Sequence, residues 1–287
     1  MPRKTMLKLS SGLMRSLGPF KGKGHISRQL SKLLSWNTSP MLIERQGVCF
    51  AVNGADLIEQ QLIFNGIYGK NVHLGLEAFK PTHHDFVFWD IGANIGSVTL
   101  PFAKNNPQAI VCSFEPSPPV LTRLSRNIAA NPSLHDKIHC FNLALSNQTT
   151  LTPFFPSNEH HNSGIGGLYK DHNRENIPVY VQSITAKELV DQGICPRPDI
   201  IKVDVEGWEL EVLEGFGSIL QEKKAPNILF EHSPYRFEAR GLSKSVVPDL
   251  LQQNGYKLIV IQPDGTQAPF VESMRNTHCD VMATKKS

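Results

Sequence analysis

Hydrophobic and polar positions change their period along this chain, and the changes mark its elements. Residues 86–91, Phe-Val-Phe-Trp-Asp-Ile, are apolar on both faces, the pattern of a strand buried inside a parallel sheet. A glycine turn follows, and a helix is expected over 97–104 with Ser97 or Asn94 as its cap. A second apolar run, 109–114, precedes a helix over 119–130, in which Val120, Leu124 and Ile128 share one face and which Asn131-Pro132 stops. Further strands are expected at 138–143, 200–205 and 228–230, and the closing segments 257–261 and 281–284 read as an antiparallel pair. Strand and helix in alternation imply right-handed crossovers, and so an α/β fold: a doubly wound, mostly parallel, Rossmann-like sheet with helices on both faces.

Two stretches break the alternation. Residues 47–52 and 57–68 read as a short hairpin and an amphipathic segment packed ahead of the core. Between 147 and 178 the chain is polar and rich in Pro, Asn, His and Gly, which predicts a loop or hairpin insertion. Its Ser163-Gly164-Ile165-Gly166-Gly167 run is either a flexible rim over the ligand end of the sheet or a surface turn.

The turn Gly92-Ala93-Asn94-Ile95-Gly96 sits where a ligand approaches the carboxyl end of the first strand, and its glycines permit a tight bend and close backbone approach. A dinucleotide fingerprint wants Gly at 94 and Gly or Ala at 97, but the chain has Asn94 and Ser97, with Asp90 just ahead of the turn. A carboxylate there suits a ligand bearing an amino or sulfonium cation better than a pyrophosphate. Glu115 ends the second strand at the position from which an acid accepts hydrogen bonds from ribose hydroxyls; otherwise it caps the helix beginning near Ser117.

Farther along, Lys202, Asp204 and Glu206 alternate with Ile201, Val203 and Val205, so in an extended chain the charged three share one side. If this is the fourth strand, Asp204 lies at the topological switch point beside the glycine turn. Glu206 has a second reading as a complement to the dipole of a helix starting near Trp208, and Lys202 as an ion-pair partner for a neighbouring acid. The next strand ends Glu231-His232, and an imidazole there would suit a general base. Asp204, Glu231 and His232 lack the spacing of a metal site, and the adjacent pairs His83-His84 and His160-His161 cannot readily turn both rings to one ion, so no metal is expected.

Charge adds an asymmetry. Of 29 Lys and Arg, eight fall before residue 40, ahead of the first acid at Glu44; the remaining 21 face 26 Asp and Glu, a balance of −5. That balance opposes a nucleic-acid-binding face. The Ser-rich basic arm, residues 1–44, is a solvated tail, a segment of transit-peptide composition, or, through residues 1–35, a weak contact for an anionic membrane. Five scattered cysteines without a CxxC predict neither a disulfide framework nor a zinc site, and with no apolar run of spanning length a cytoplasmic, reducing location is expected.

Three segments together, Phe88-Trp89-Asp90-Ile91-Gly92-Ala93-Asn94-Ile95-Gly96, Ser113-Phe114-Glu115-Pro116 and Ile201-Lys202-Val203-Asp204-Val205-Glu206-Gly207-Trp208-Glu209, resemble the FkbM-type S-adenosylmethionine-dependent methyltransferases. Ala144-Leu145-Ser146 and Leu213-Glu214-Gly215 fall in the matching order, and the resemblance spans roughly 45–282. It implies a class I methyltransferase sheet of seven strands, with an N-terminal extension ahead of a domain over 45–287. It further implies that Asp90, Gly92, Ala93, Asn94 and Gly96 hold the methionine end of the cofactor, Glu115 the ribose, and Asn142, Ala144 and Leu145 the adenine edge. Asp204 would lie near cofactor and acceptor alike, with Lys202, Glu231 and His232 completing the catalytic set. Where relatives often carry a Tyr-Glu pair, this chain has Tyr68-Gly69. The activity so implied is methylation of a small-molecule or saccharide acceptor, at oxygen rather than nitrogen. Two rivals stand beside it: an NAD(P)-dependent oxidoreductase on a similar sheet, which Asn94 and Ser97 oppose, and a non-catalytic cofactor-binding protein docked through its arm on a membrane or partner.

Overall fold

The computed structural model describes residues 40–285 except 55, 83, 84, 158–161, 172, 173 and 176, together with 11–14, 16, 26 and 29. Both histidine pairs lie outside the described residues, as does most of the basic arm.

The chain enters through a hairpin, β1 (Met41–Arg45) and β2 (Val48–Val52), whose turn places Gln46 and Gly47 at φ 52° and 74°. Asp56 caps α1 (Leu57–Phe64) by accepting from the Ile58 amide at 2.9 Å, and α2 (Lys70–Phe79) follows. Met14 is buried in the cluster that contains Phe50 and Leu62, so part of the arm packs on this entry unit.

The expected alternation then appears. β3 (Phe86–Ile91), α3 (Thr99–Asn105), β4 (Ala109–Phe114), α4 (Pro118–Ala129) and β5 (Ile138–Phe141) form one wing of the sheet. After an insertion built on β6 (Ala144–Leu145), β7 (Thr150–Phe154) and β8 (Val179–Ile184), the chain passes through α5 (Ala186–Asp191) into β9 (Ile200–Val203), on the other side of β3. Next come α6 (Glu209–Glu214), β10 (Asn227–His232), α7 (Pro234–Ala239), α8 (Val246–Gln253), β11 (Tyr256–Ile261), β12 (Gln267–Pro269) and β13 (Cys279–Lys285). The sheet order is β12-β11-β13-β10-β9-β3-β4-β5, with β5, β4, β3, β9 and β10 parallel and the closing strands antiparallel. The count exceeds the expected seven by β12, a short edge strand paired only with β11.

Both faces of this sheet are covered, which is why β3, Asp90 apart, is apolar on both sides. Phe88 points into one core with Leu100 and Leu124, its ring 4.4 Å from that of Phe102. Trp89 points into the opposite core with Val212 and Leu251, and its indole N–H donates to the Pro196 carbonyl at 3.0 Å. The chain leaves β3 toward β4 and later returns to β9, so the carboxyl ends of β3 and β9 form the crevice where doubly wound sheets bind ligands.

The insertion is a hairpin, with β7 antiparallel to β8 and β6 parallel to β8 in a separate sheet. A bridge between Phe155 and Gly167 folds the intervening chain back toward the crevice. Among the described residues no helix is long and apolar enough to cross a membrane.

Candidate active site

The glycine turn is shaped by contacts that a side chain would block. Gly92 has φ 80°, and a Cβ there would stand 1.9 Å from the Asp204 carbonyl oxygen, so glycine is what lets the turn touch the end of β9. Gly96, at φ 83°, has Leu100 at 2.3 Å and Leu124 at 2.7 Å from the same construction, which seats the turn on α3 and α4. Asn94 takes φ 49°, a conformation this residue type tolerates, and its Oδ1 accepts from the Ile95 amide at 2.8 Å. Neither Ser97 nor Asn94 caps α3; the helix starts at Thr99, with Val98 in the cap position.

Thr99 turns inward instead. Its hydroxyl donates to Asp90 Oδ2 at 2.6 Å, while Lys202 Nζ donates to Asp90 Oδ1 at 3.0 Å and to the Gly92 carbonyl at 2.9 Å. Asp90 is fully buried and does not line the crevice. With Thr99 and Lys202 on its two oxygens, Asp90 ties the turn to α3 and β9 from beneath. Burial works against the Lys202 charge, but Asp90 and Asp204 outweigh it and leave the ammonium pKa raised. Asp204, whose side chain is 27% exposed, lies 3.7 Å from the same Nζ and faces the opening.

Glu115 is nearly buried and lines the crevice. Its Oε2 accepts from the Asn94 amide at 3.0 Å and its Oε1 from the Ser117 amide at 2.9 Å, which fixes the rotamer and leaves further lone pairs on each oxygen. Burial pushes its pKa up to about 7, against the pull of those two amides. The capping and ligand-binding readings are thus compatible in one side chain.

These groups open on a cleft at the carboxyl ends of β3 and β9. Ala93, Asn94, Lys202 and Asp204 line its floor with Gly92, and Leu143, Ala144 and Leu145 face Phe114 and Pro116 at one end. Gly96 and Asn142 do not reach it; Asn142 Nδ2 donates to the Glu115 and Pro116 carbonyls at 2.9 and 3.0 Å and braces that end from behind. Gly164, Gly166, Gly167 and Leu168 of the insertion form the rim.

At the other end, Tyr68, Asp204 and Glu206 line the wall, with Glu231 and Asp280 directly opposite each other across β10 and β13. Burial drives all of these acids upward in pKa where a shift is resolved, reinforced by the Asp204 charge: Glu206 to about 8, Asp280 to about 7, and Glu231 well above the carboxylate range. Tyr68 is raised by burial and by Asp204, so its hydroxyl keeps its proton. Extended chain ends at Val203, and Glu206 turns to φ 59° with its carboxylate paired to Arg236. Glu209, not Glu206, serves α6, accepting from the Val205 and Gly207 amides at 3.2 and 3.0 Å.

His232 is not brought to the cleft. Strand alternation puts Glu231 on the face of Lys202 and Asp90 and His232 on the other, where it is fully buried beside Phe230, Phe237 and Phe270. One ring nitrogen bonds the Arg275 carbonyl at 3.1 Å, and burial lowers its pKa. The sequence signal for Asp280 was available only through pairing of β10 with β13; Arg236 and Arg174 carried none. Among the described residues no cluster of three or more His, Cys, Asp or Glu is arranged to hold a metal ion.

Hexuronic acid methyltransferase AglP of Haloferax volcanii is 29% identical over 205 residues, covering 68% of this chain and 79% of that one. Methyltransferase sdnD of Sordaria araneosa is 28% identical over 204 residues, covering 62% and 76%. The crystal structure of methyltransferase FkbM from Methylobacillus flagellatus aligns with a TM-score of 0.42 at 15% identity, over 81% of this chain and 56% of that one. The methyltransferase FkbM domain matches residues 90–258, more than half of the chain, from Asp90 past the turn after β9. With that match the oxidoreductase rival falls away, and the chain belongs to the FkbM methyltransferase family as an S-adenosylmethionine-dependent enzyme.

Proposed function

We propose that the chain methylates a hydroxyl oxygen of a small-molecule or saccharide acceptor. The observation that carries this reading is that one cleft is lined by Glu115 and Leu143–Leu145 and also by Asp204 and Glu206, with Glu231 close enough to feel the charges of the last two. The residues fit the cofactor: Glu115 has acceptor positions left for ribose hydroxyls, and Gly92 and Ala93 present backbone to the methionine moiety. When bound, S-adenosylmethionine supplies an activated methyl group on a cationic sulfur.

The chain's own residues then have three tasks. Lys202 neutralises Asp90 and keeps Asp204 at the crossing of β3 and β9. Asp204 orients the acceptor hydroxyl, and holding two reactants in line supplies much of the acceleration of such a displacement. Glu206, which lines the cleft and whose pKa is raised to about 8, takes in its ionised form the proton that the hydroxyl loses as the C–O bond forms. A saccharide acceptor is favoured by the relative named for methylating a hexuronic acid. For residues 1–35 the proposal is weak attraction to an anionic surface, tested by sedimenting full-length and truncated protein with anionic vesicles at low and high salt; equal sedimentation would refute it.

The test of the main reading is a panel of saccharides and hydroxylated metabolites with S-adenosylmethionine carrying a deuterated methyl group, read by mass spectrometry. Label on an acceptor oxygen is expected, and Asp204→Asn should slow single-turnover transfer roughly 100-fold while calorimetric affinity for S-adenosylhomocysteine, which lacks the sulfonium charge, stays within about threefold. Failure of the wild-type protein to bind S-adenosylmethionine, or label found on nitrogen, would refute it.

A further inference from the structure

The segment that carries Asp204 and Glu206 is not part of the sheet. Beyond Val203 the backbone leaves the strand, Glu206 adopts φ 59° and Gly207 φ 99°. A residue other than glycine at positive φ is held there by its surroundings. Glu209 satisfies two amides of this turn, and Arg240 donates to the Gly207 carbonyl. The Glu206 carbonyl is taken by a residue of the insertion: Arg174 Nη2 donates to it at 2.9 Å.

Arg174 is among the largest fully buried side chains of the protein. Its Nε donates to the Ile165 carbonyl at 2.8 Å and its Nη1 to the Tyr169 carbonyl at 2.6 Å, while its guanidinium stacks 4.1 Å from the Tyr169 ring centre. Asp171 supplies a carboxylate 3.7 Å from Nε. The rim makes room for this group: a Cβ on Gly167 would stand 2.6 Å from the guanidinium carbon. A buried guanidinium with its donors directed at carbonyls 9, 5 and 32 residues away is costly to desolvate unless every partner stays in place, so it ties the parts it touches into one body.

We infer that Arg174 is a positioning residue, which fastens the 163–169 rim to the turn bearing Asp204 and Glu206 so that the insertion sets where the acidic end of the cleft stands. The inference rests on the proposed use of that end, and its first test does not. In Arg174→Met without cofactor, amide hydrogen exchange at Val205 and Gly207 should accelerate about tenfold or more relative to the β9 amides, because the turn loses its tie while the sheet keeps its ladder. Unchanged exchange in the turn overturns the inference. Gly167→Ala, which crowds the guanidinium and leaves its charge, should accelerate the same amides; it serves where Arg174→Met fails to fold.

A second reading uses charge. S-adenosylmethionine carries a sulfonium and S-adenosylhomocysteine a neutral sulfur, so displacing Asp204 and Glu206 should weaken the first by about tenfold and the second by less than about twofold. Equal losses for both ligands would make Arg174 a general structural prop and overturn the positioning role. Arg174→Lys should behave like Arg174→Met, since one ammonium cannot span the three carbonyls. If the wild-type protein binds neither ligand, the functional proposal fails and the exchange experiment still decides the role of Arg174.

Discussion

The two ends of the cleft are built in opposite ways. The end bearing the glycine turn is local: Gly92, Ala93, Asn94 and Glu115 come from one strand-turn-helix-strand unit, and the Asn94 amide donates to Glu115 within it. The acidic end is assembled from afar, with Tyr68 ahead of the sheet, Asp204 and Glu206 after β9, Glu231 and Asp280 on antiparallel neighbours, and Arg174 reaching in from the insertion. A local site is fixed by backbone geometry and is intolerant of side chains in its turn. A composite site is fixed by paired charges, and the pKa values of Glu206, Glu231 and Asp280 respond to their neighbours. The difference predicts failure by steric collapse at one end and by electrostatic rearrangement at the other.

The largest expected effect belongs to the local end. Gly92→Ala sets a Cβ 1.9 Å from the Asp204 carbonyl at a φ unfavourable to alanine, and should lower unfolding free energy by roughly 3 kcal/mol or more. Denaturant melting measures it; a near-native midpoint would mean that the two strand ends are not locked together.

Next comes Glu115→Ala, expected to weaken S-adenosylmethionine by about 1.5 to 3 kcal/mol through lost hydrogen bonds to a charged acceptor. The pH dependence sharpens this. Burial raises the Glu115 pKa to about 7, so in the unliganded protein it favours the protonated form, and its contribution to stability is present at acid pH and lost as pH rises through 7. A ribose held by the carboxylate reverses the preference. Adenosine, which has no group titrating there, should therefore bind several-fold tighter at pH 8 than at pH 6, and Glu115→Gln should flatten that slope. A flat profile in the wild-type protein would break the argument.

The smallest expected effect on turnover tests the composite end from outside. His232→Ala should cost about 2 kcal/mol or more of stability from a cavity among Phe230, Phe237 and Phe270, yet change single-turnover methylation of the acceptor found in the labelling experiment by no more than about twofold. A loss of a hundredfold or more would place the imidazole in the reaction despite its position.

The alternating apolar runs located β3, β4, α4 and the closing antiparallel pair within a few residues, because a strand covered on both faces and a helix with one apolar stripe leave unambiguous patterns. The glycine turn and Glu115 were equally legible, since their partners lie within the same unit. Legibility was less at Asp90, whose burial on Thr99 and Lys202 no local pattern records. It failed at His232 through a one-residue question of strand phase, which the adjacent Glu231 answers the other way.

The sequence by itself determined the order of strands and helices in the core, the position of its glycine turn and the family of its chemistry, because each depends on contacts or periodicities within a short span of chain. Only the tertiary structure decided which charges face the cleft and which lie beneath it, and that the insertion reaches the Glu206 turn through Arg174. Those outcomes depend on pairing between segments far apart, where no periodicity records the partner and burial, rather than residue type, settles the protonation of each acid.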